Sequence, residues 1–143
     1  MKKFNLFIIN LMIAAFLVSC NLGGERYEKY TGYVSVVETI IPDSAVAGQT
    51  IPLYARATAP NGCWSDIKIH LGKATFADTV YGISSTGLYE SYDNLCFEIL
   101  VSADTTFHFK PDSSGTYLFI SYSSLLEPRY DTLYVVDPMP AGR

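Results

Sequence analysis

Two histidines, three cysteines and fourteen carboxylates are the side chains of this 143-residue chain with acid–base, nucleophilic or ligating chemistry near neutral pH. Their spacing supports little of that chemistry. His70 lies between Ile69 and Leu71, and His108 between Phe107 and Phe109. In an extended chain each imidazole therefore takes the face opposite its apolar neighbours. Neither histidine has a second histidine or an acid at metalloprotease spacing. No serine stands in a Gly-x-Ser-x-Gly elbow. Cys63 and Cys96 have no adjacent histidine to lower a thiol pKa. Asp93-Asn94 lacks the alternating acids of a calcium-binding loop. Paired carboxylates for glycoside hydrolysis can come from distant parts of a chain, so a hydrolase with a dispersed site stays open as a lesser alternative. The expectation is a non-enzymatic protein with no catalytic residue, metal or cofactor.

Recognition is better supplied than catalysis. The chain has eleven tyrosines, eight phenylalanines and one tryptophan. Trp64 adjoins Cys63, while Tyr81, Tyr89 and Tyr92 flank or occupy the stretch 82–94. Rings on loops at one end of a β-fold can stack on sugars or anchor a protein partner, which makes these four the candidate binding residues. The alternative is that the tyrosines are strand formers and Trp64 packs in the core.

The elements that must position them are strands. From Thr31 onward the apolar period is two. Residues 33–41 are rich in Val, Ile, Tyr and Thr and end at Pro42-Asp43. Residues 51–58, 67–71, 95–101, 106–110, 116–123 and 131–136 read as further strands, and 74–81 as another. Pro52 lacks an amide donor and suggests an edge or bulge. Polar, glycine-bearing 82–94 reads as a long turn or hairpin. About eight short strands without a helix predict an all-β sandwich or barrel. The domain is expected over 31–137, with 138–143 as a tail.

Asp112-Ser113-Ser114-Gly115-Thr116-Tyr117 resembles the turn entering strand F of immunoglobulin-like domains, where a tyrosine bonds back to nearby backbone. The resemblance implies an immunoglobulin-like antiparallel sandwich, with Tyr117 as its corner tyrosine and jelly-roll or barrel folds as alternatives. Phe119 stands where antibody domains carry a cysteine, and can fill the core by burial.

Lys2 and Lys3 precede an apolar run from Leu6 to Val18, then Ser19 and Cys20. This is the order of a secretory signal peptide, and about 13 apolar residues are too few for a spanning helix. Leu17-Val18-Ser19-Cys20 resembles the lipobox of bacterial lipoproteins. That implies a signal peptide over 1–19, helical before cleavage, and a mature chain starting at an acylated Cys20. An ordinary signal peptide with Cys20 incidental is the alternative. Residues 20–30, with Gly23-Gly24, read as a lipidated tether.

If Cys20 carries lipid, Cys63 and Cys96 are left as an even pair for a disulfide, against the alternative of two buried thiols. Loss of Lys2 and Lys3 leaves eight Lys+Arg against fourteen Asp+Glu. That balance argues against nucleic acid and against electrostatic docking on anionic lipid, leaving the acyl chains as the expected membrane contact. The chain loosely resembles small immunoglobulin-like lipoproteins of Bacteroidota. The resemblance implies a lipid-anchored cell-envelope protein, at the outer membrane, facing either the periplasm or the surface. Its expected role is a non-catalytic module for a protein partner or glycan, or else a structural part of the envelope without a soluble ligand.

Overall fold

The computed structural model describes residues 26–123 and 127–139. The expected signal peptide, Cys20, the first part of the expected tether and the last four residues of the expected tail lie outside the described residues. Eight strands follow in order: β1 (Tyr27–Ile40), β2 (Ser44–Val46), β3 (Ile51–Ala59), β4 (Trp64–Lys73), β5 (Val80–Tyr92), β6 (Val101–Phe109), β7 (Gly115–Tyr122) and β8 (Pro128–Val136). No helix occurs among the described residues.

The strands form one curled sheet in the order β2–β8–β7–β5–β1–β3–β6, with β4 paired to β5. β1 is where it folds over. Its first half, Tyr27–Val34, pairs with β5, and its second half, Ser35–Ile40, pairs with β3. A register shift between Val36 and Glu38 marks the second half, and the Val37 carbonyl there accepts a 2.9 Å hydrogen bond from Arg129. Two layers result, and the core lies between them. Leu53, Ala55, Val36 and Phe109 come from one layer; Ile83, Tyr117, Phe119 and Leu133 come from the other. β3 shows why: every odd residue from Ile51 to Ala59 is buried, as a half-buried strand requires. Pro52 lies past the end of β1, where β3 has β6 as its one neighbour.

The all-β, eight-strand, sandwich-like fold is as expected, but the sheet is mixed rather than purely antiparallel. β2 runs parallel to β8, and β5 parallel to β7. β5 and β7 are separated by β6 in the opposite layer, so the chain reverses twice and re-enters in its original direction. That traverse supplies the long crossover a parallel pair needs. The corner of the immunoglobulin resemblance is present: buried Tyr117 donates to the Ser113 carbonyl at 3.1 Å. Phe119 is fully buried.

Three local expectations are corrected. Residues 82–94 are largely strand, because β5 continues to Tyr92. Its inward positions include Ser85, Gly87 and Ser91, which erase the apolar alternation; Ser85 Oγ instead donates to the Val34 carbonyl at 2.7 Å. Residues 95–100 are not strand, and β6 starts at Val101. Their alternation is real, but its apolar residues point to solvent while Cys96 is held inward by a disulfide to Cys63. Residues 74–79 form a turn before β5, clasped by a 2.7 Å ion pair between Lys73 and Asp78. The tether is also shorter than expected, since Tyr27–Tyr30 already pair with β5.

Candidate functional site

Trp64 and Tyr89 are register partners across β4 and β5, with ring centroids 5.4 Å apart. Tyr30 stacks on Tyr89 at 4.8 Å and meets Trp64 edge-on at 6.0 Å. Tyr30 and Tyr89 share the inward parity of buried Val34 and Ser85, and Trp64 packs on the cluster of Val34, Ala57 and Ala59. The Cys63–Cys96 disulfide, with Cα atoms 5.2 Å apart, lays the following loop against these rings. Tyr89 Oη is 3.5 Å from Cys96 Sγ. Trp64 and Tyr89 therefore close one end of the sandwich. Tyr81 belongs elsewhere: its ring packs on Phe109 at 4.9 Å and Phe119 at 5.6 Å, and burial raises its phenol pKa. The four candidate aromatics do not form one cluster.

Tyr92 lies on the outer face of the β1–β5 pair. There it meets Tyr27, a ring the sequence reading leaves in the tether, at 4.8 Å. Tyr27 Oη donates to Glu90 at 2.8 Å and Lys29 Nζ lies 3.1 Å from the other Glu90 oxygen. These bonds, Tyr27's first and Lys29's next, pull the Glu90 carboxyl below its usual range. The same carboxylate raises both Tyr27 and Lys29. Tyr33, six residues along β1 from Tyr27 and on the same face, is 82% exposed.

A groove of about 330 Å³ opens further along the outer face, over β4, β5 and β7. Its floor is the cross-strand pair Gly72 and Gly82. Phe76, Tyr122, His70, Lys73 and Ser84 are among the residues around it. Phe76 is 81% exposed on the 74–79 turn. His70 Nε2 is 3.2 Å from Thr86 Oγ1, on the solvated face its sequence neighbours imply.

Neither glycine is demanded by the fold. Neither has a positive φ. A Cβ on Gly72 would meet nothing within 4 Å, and one on Gly82 only Tyr122 Cε2 at 3.8 Å. Strand glycines lack packing and lower strand stability, and often mark a close approach by another group. Register alone reveals this pair, because the two glycines are ten residues apart in sequence and have no shared motif. Phe76 and Tyr122 likewise share no sequence signal, since it is the parallel β5–β7 pairing that brings them to one groove.

The groove can stack an apolar ring face and hydrogen-bond its rim. Among the described residues no three His, Cys, Asp or Glu side chains converge. His108 is exposed on β6, opposite Pro52. Asp93 serves a turn: Asp93 and Asn94 both have positive φ, and Asp93 Oδ1 accepts the Arg26 amide at 2.7 Å. No family model, curated protein or solved structure matches the chain.

Proposed function

We propose that this is a lipid-anchored envelope protein, held through acylated Cys20, whose sandwich is a non-catalytic binding module with a glycan as its ligand. One observation carries the ligand class: the groove floored by Gly72 and Gly82 is bare where the fold has room for side chains, and Phe76 and Tyr122 border it. A pyranose offers an apolar ring face for such rings and hydroxyls for rim groups like those of Ser84 and Lys73. The lipobox-like Leu17-Val18-Ser19-Cys20 supports the anchor. The resemblance to small Bacteroidota lipoproteins supports an outer-membrane position.

Titration of the isotope-labelled protein with soluble gluco-, xylo- and N-acetylglucosamine oligosaccharides, read by amide shifts, tests the groove. Shifts centred on Gly72, Gly82 and Ser84, abolished in Gly72→Val, support the reading. No response to any sugar class, or shifts elsewhere, overturns it. A protein partner is the second reading, favoured by the outer face that carries exposed Tyr33 and, about 20 Å along β1, the Tyr27–Tyr92 pair.

A further inference from the structure

We infer that the loop Leu95–Leu100 is a foot that rests in the interface of the membrane carrying the anchor. The inference builds on the lipid-anchored reading and adds a second, non-covalent contact with the bilayer.

Four apolar side chains in this loop point to water: Leu95 is 80% exposed, Phe97 83%, Ile99 59% and Leu100 73%. They are held out rather than loosely displayed. Cys96 between them is bonded to Cys63, and the Phe97 carbonyl accepts bonds from Gly62 at 2.8 Å and Ile99 at 2.9 Å. Gly62 leaves room for this, since a Cβ there would stand 3.3 Å from the side chains of Phe97 and Ile99. The loop backbone is thus fixed with its apolar side outward, the arrangement of a surface awaiting an apolar medium.

The occupant follows from where the chain leaves the domain. The Asp93 amide donates to the Arg26 carbonyl at 2.7 Å, and the Arg26 amide to Asp93 Oδ1 at 2.7 Å. The first described residue is therefore pinned two positions before Leu95. Cys20 lies six residues before Arg26, at most about 22 Å of extended chain. An acylated Cys20 brings this end of the sandwich to the bilayer. Tyr27 and Tyr92, half-exposed rings with polar tips, stand at the same end, the residue type enriched at membrane interfaces. Glu98 within the loop and Asp93 beside it suit a zwitterionic leaflet better than an anionic one. Gly82 lies ten residues back along β5, about 33 Å of strand, so a domain standing on this loop lifts the groove clear of headgroups.

The test uses the mature protein purified from membranes and reconstituted in phosphatidylcholine vesicles with brominated acyl chains. Mass spectrometry first reports acylation of Cys20 and the intact disulfide. Phe97→Trp is compared with Lys110→Trp, just past the far end of β6, the Trp64 signal of the unsubstituted protein being subtracted. The expected result is acylated protein with quenching at position 97 at least about threefold that at position 110, as for side chains seated at the headgroup–acyl boundary. Acylated protein with equal, weak quenching at both positions overturns the foot and leaves the anchor standing. Blue-shifted but unquenched emission at position 97 assigns the loop to a second copy of the chain, and also overturns it. Absence of acyl mass removes the anchor and the inference together. Leu95→Trp repeats the comparison if Phe97→Trp lowers the yield of disulfide-bonded protein.

Discussion

Gly32 and Gly87 are register partners across β1 and β5, and the indole of Trp64 lies over both. A Cβ on Gly32 would stand 2.9 Å from Trp64 Cη2, and one on Gly87 3.1 Å from Cε3. The other cross-strand glycine pair, Gly72 and Gly82, has no such neighbour. The same residue type thus serves packing at one end of the sheet and an open groove at the other. Gly32→Ala or Gly87→Ala should destabilise the fold by about 1–3 kcal/mol through overpacking. Gly72→Val should leave stability unchanged or raise it, since a β-branched residue suits a strand. Urea denaturation of the three variants measures the contrast.

Phe119 and Phe97 make a second contrast, of burial. Phe119 is fully enclosed between the layers and Phe97 is among the most exposed rings. Phe119→Ala should cost about 3–5 kcal/mol, from lost transfer energy and the cavity left behind. Phe97→Ala should change global stability little. Thermal unfolding separates them directly.

Tyr117 is buried with its hydroxyl on Ser113. Tyr117→Phe keeps the ring and removes the corner bond, so a loss of about 0.5–1.5 kcal/mol is expected. A larger loss would mean that the corner also sets the β6–β7 connection.

The disulfide spans 33 residues, from the start of β4 to the loop after β5. Replacing Cys63 and Cys96 together by serine should lower stability by about 3–4 kcal/mol, the loop-closure entropy of that span. Hydrogen exchange should rise first at 93–100, whose backbone is held chiefly by this link and by Gly62 and Arg26.

The Tyr27–Glu90–Lys29 network gives a pH prediction. Glu90 binds its proton less readily in the fold than its ordinary value of 4.5, so its contribution is present above that value and disappears as pH falls through the folded one. Tyr27 and Lys29 are raised, so theirs is present below about pH 10 and lost as pH rises through the folded values. All three groups are solvent-facing, which keeps the effect small. Glu90→Gln should flatten both limbs of the melting temperature against pH. Unchanged acid and alkaline limbs in that variant would remove the network from the stability of β1–β5.

Local pattern carried much of this fold. Alternation alone located β3, most of β4, β7 and β8, and the motif ending in Tyr117 pointed to the corner that the hydroxyl makes with Ser113. Cysteine parity pointed to the Cys63–Cys96 bridge. Where small residues faced inward, as at Ser85, Gly87 and Ser91, hydropathy carried no period and β5 looked like a turn. Where apolar residues faced outward, as at Leu95, Phe97 and Ile99, a fixed loop looked like a strand. Hydropathy reports burial only when the inward side chain is apolar, and the sequence contains no term for a neighbour from the other layer.

The candidate groove lay beyond that limit. Trp64 and Tyr89 do meet, but facing inward, and Tyr81 is drawn into the core by Phe109 and Phe119. Gly72, Gly82, Phe76 and Tyr122 come together through the β4–β5 register and the parallel β5–β7 pair. The sequence by itself determined the all-β class, because alternation follows from near neighbours, and it pointed to the corner and the cysteine pair through resemblances. Tertiary structure alone decided which aromatics face solvent and which glycines share a floor, because a strand's two faces become inside and outside only when a second layer covers one.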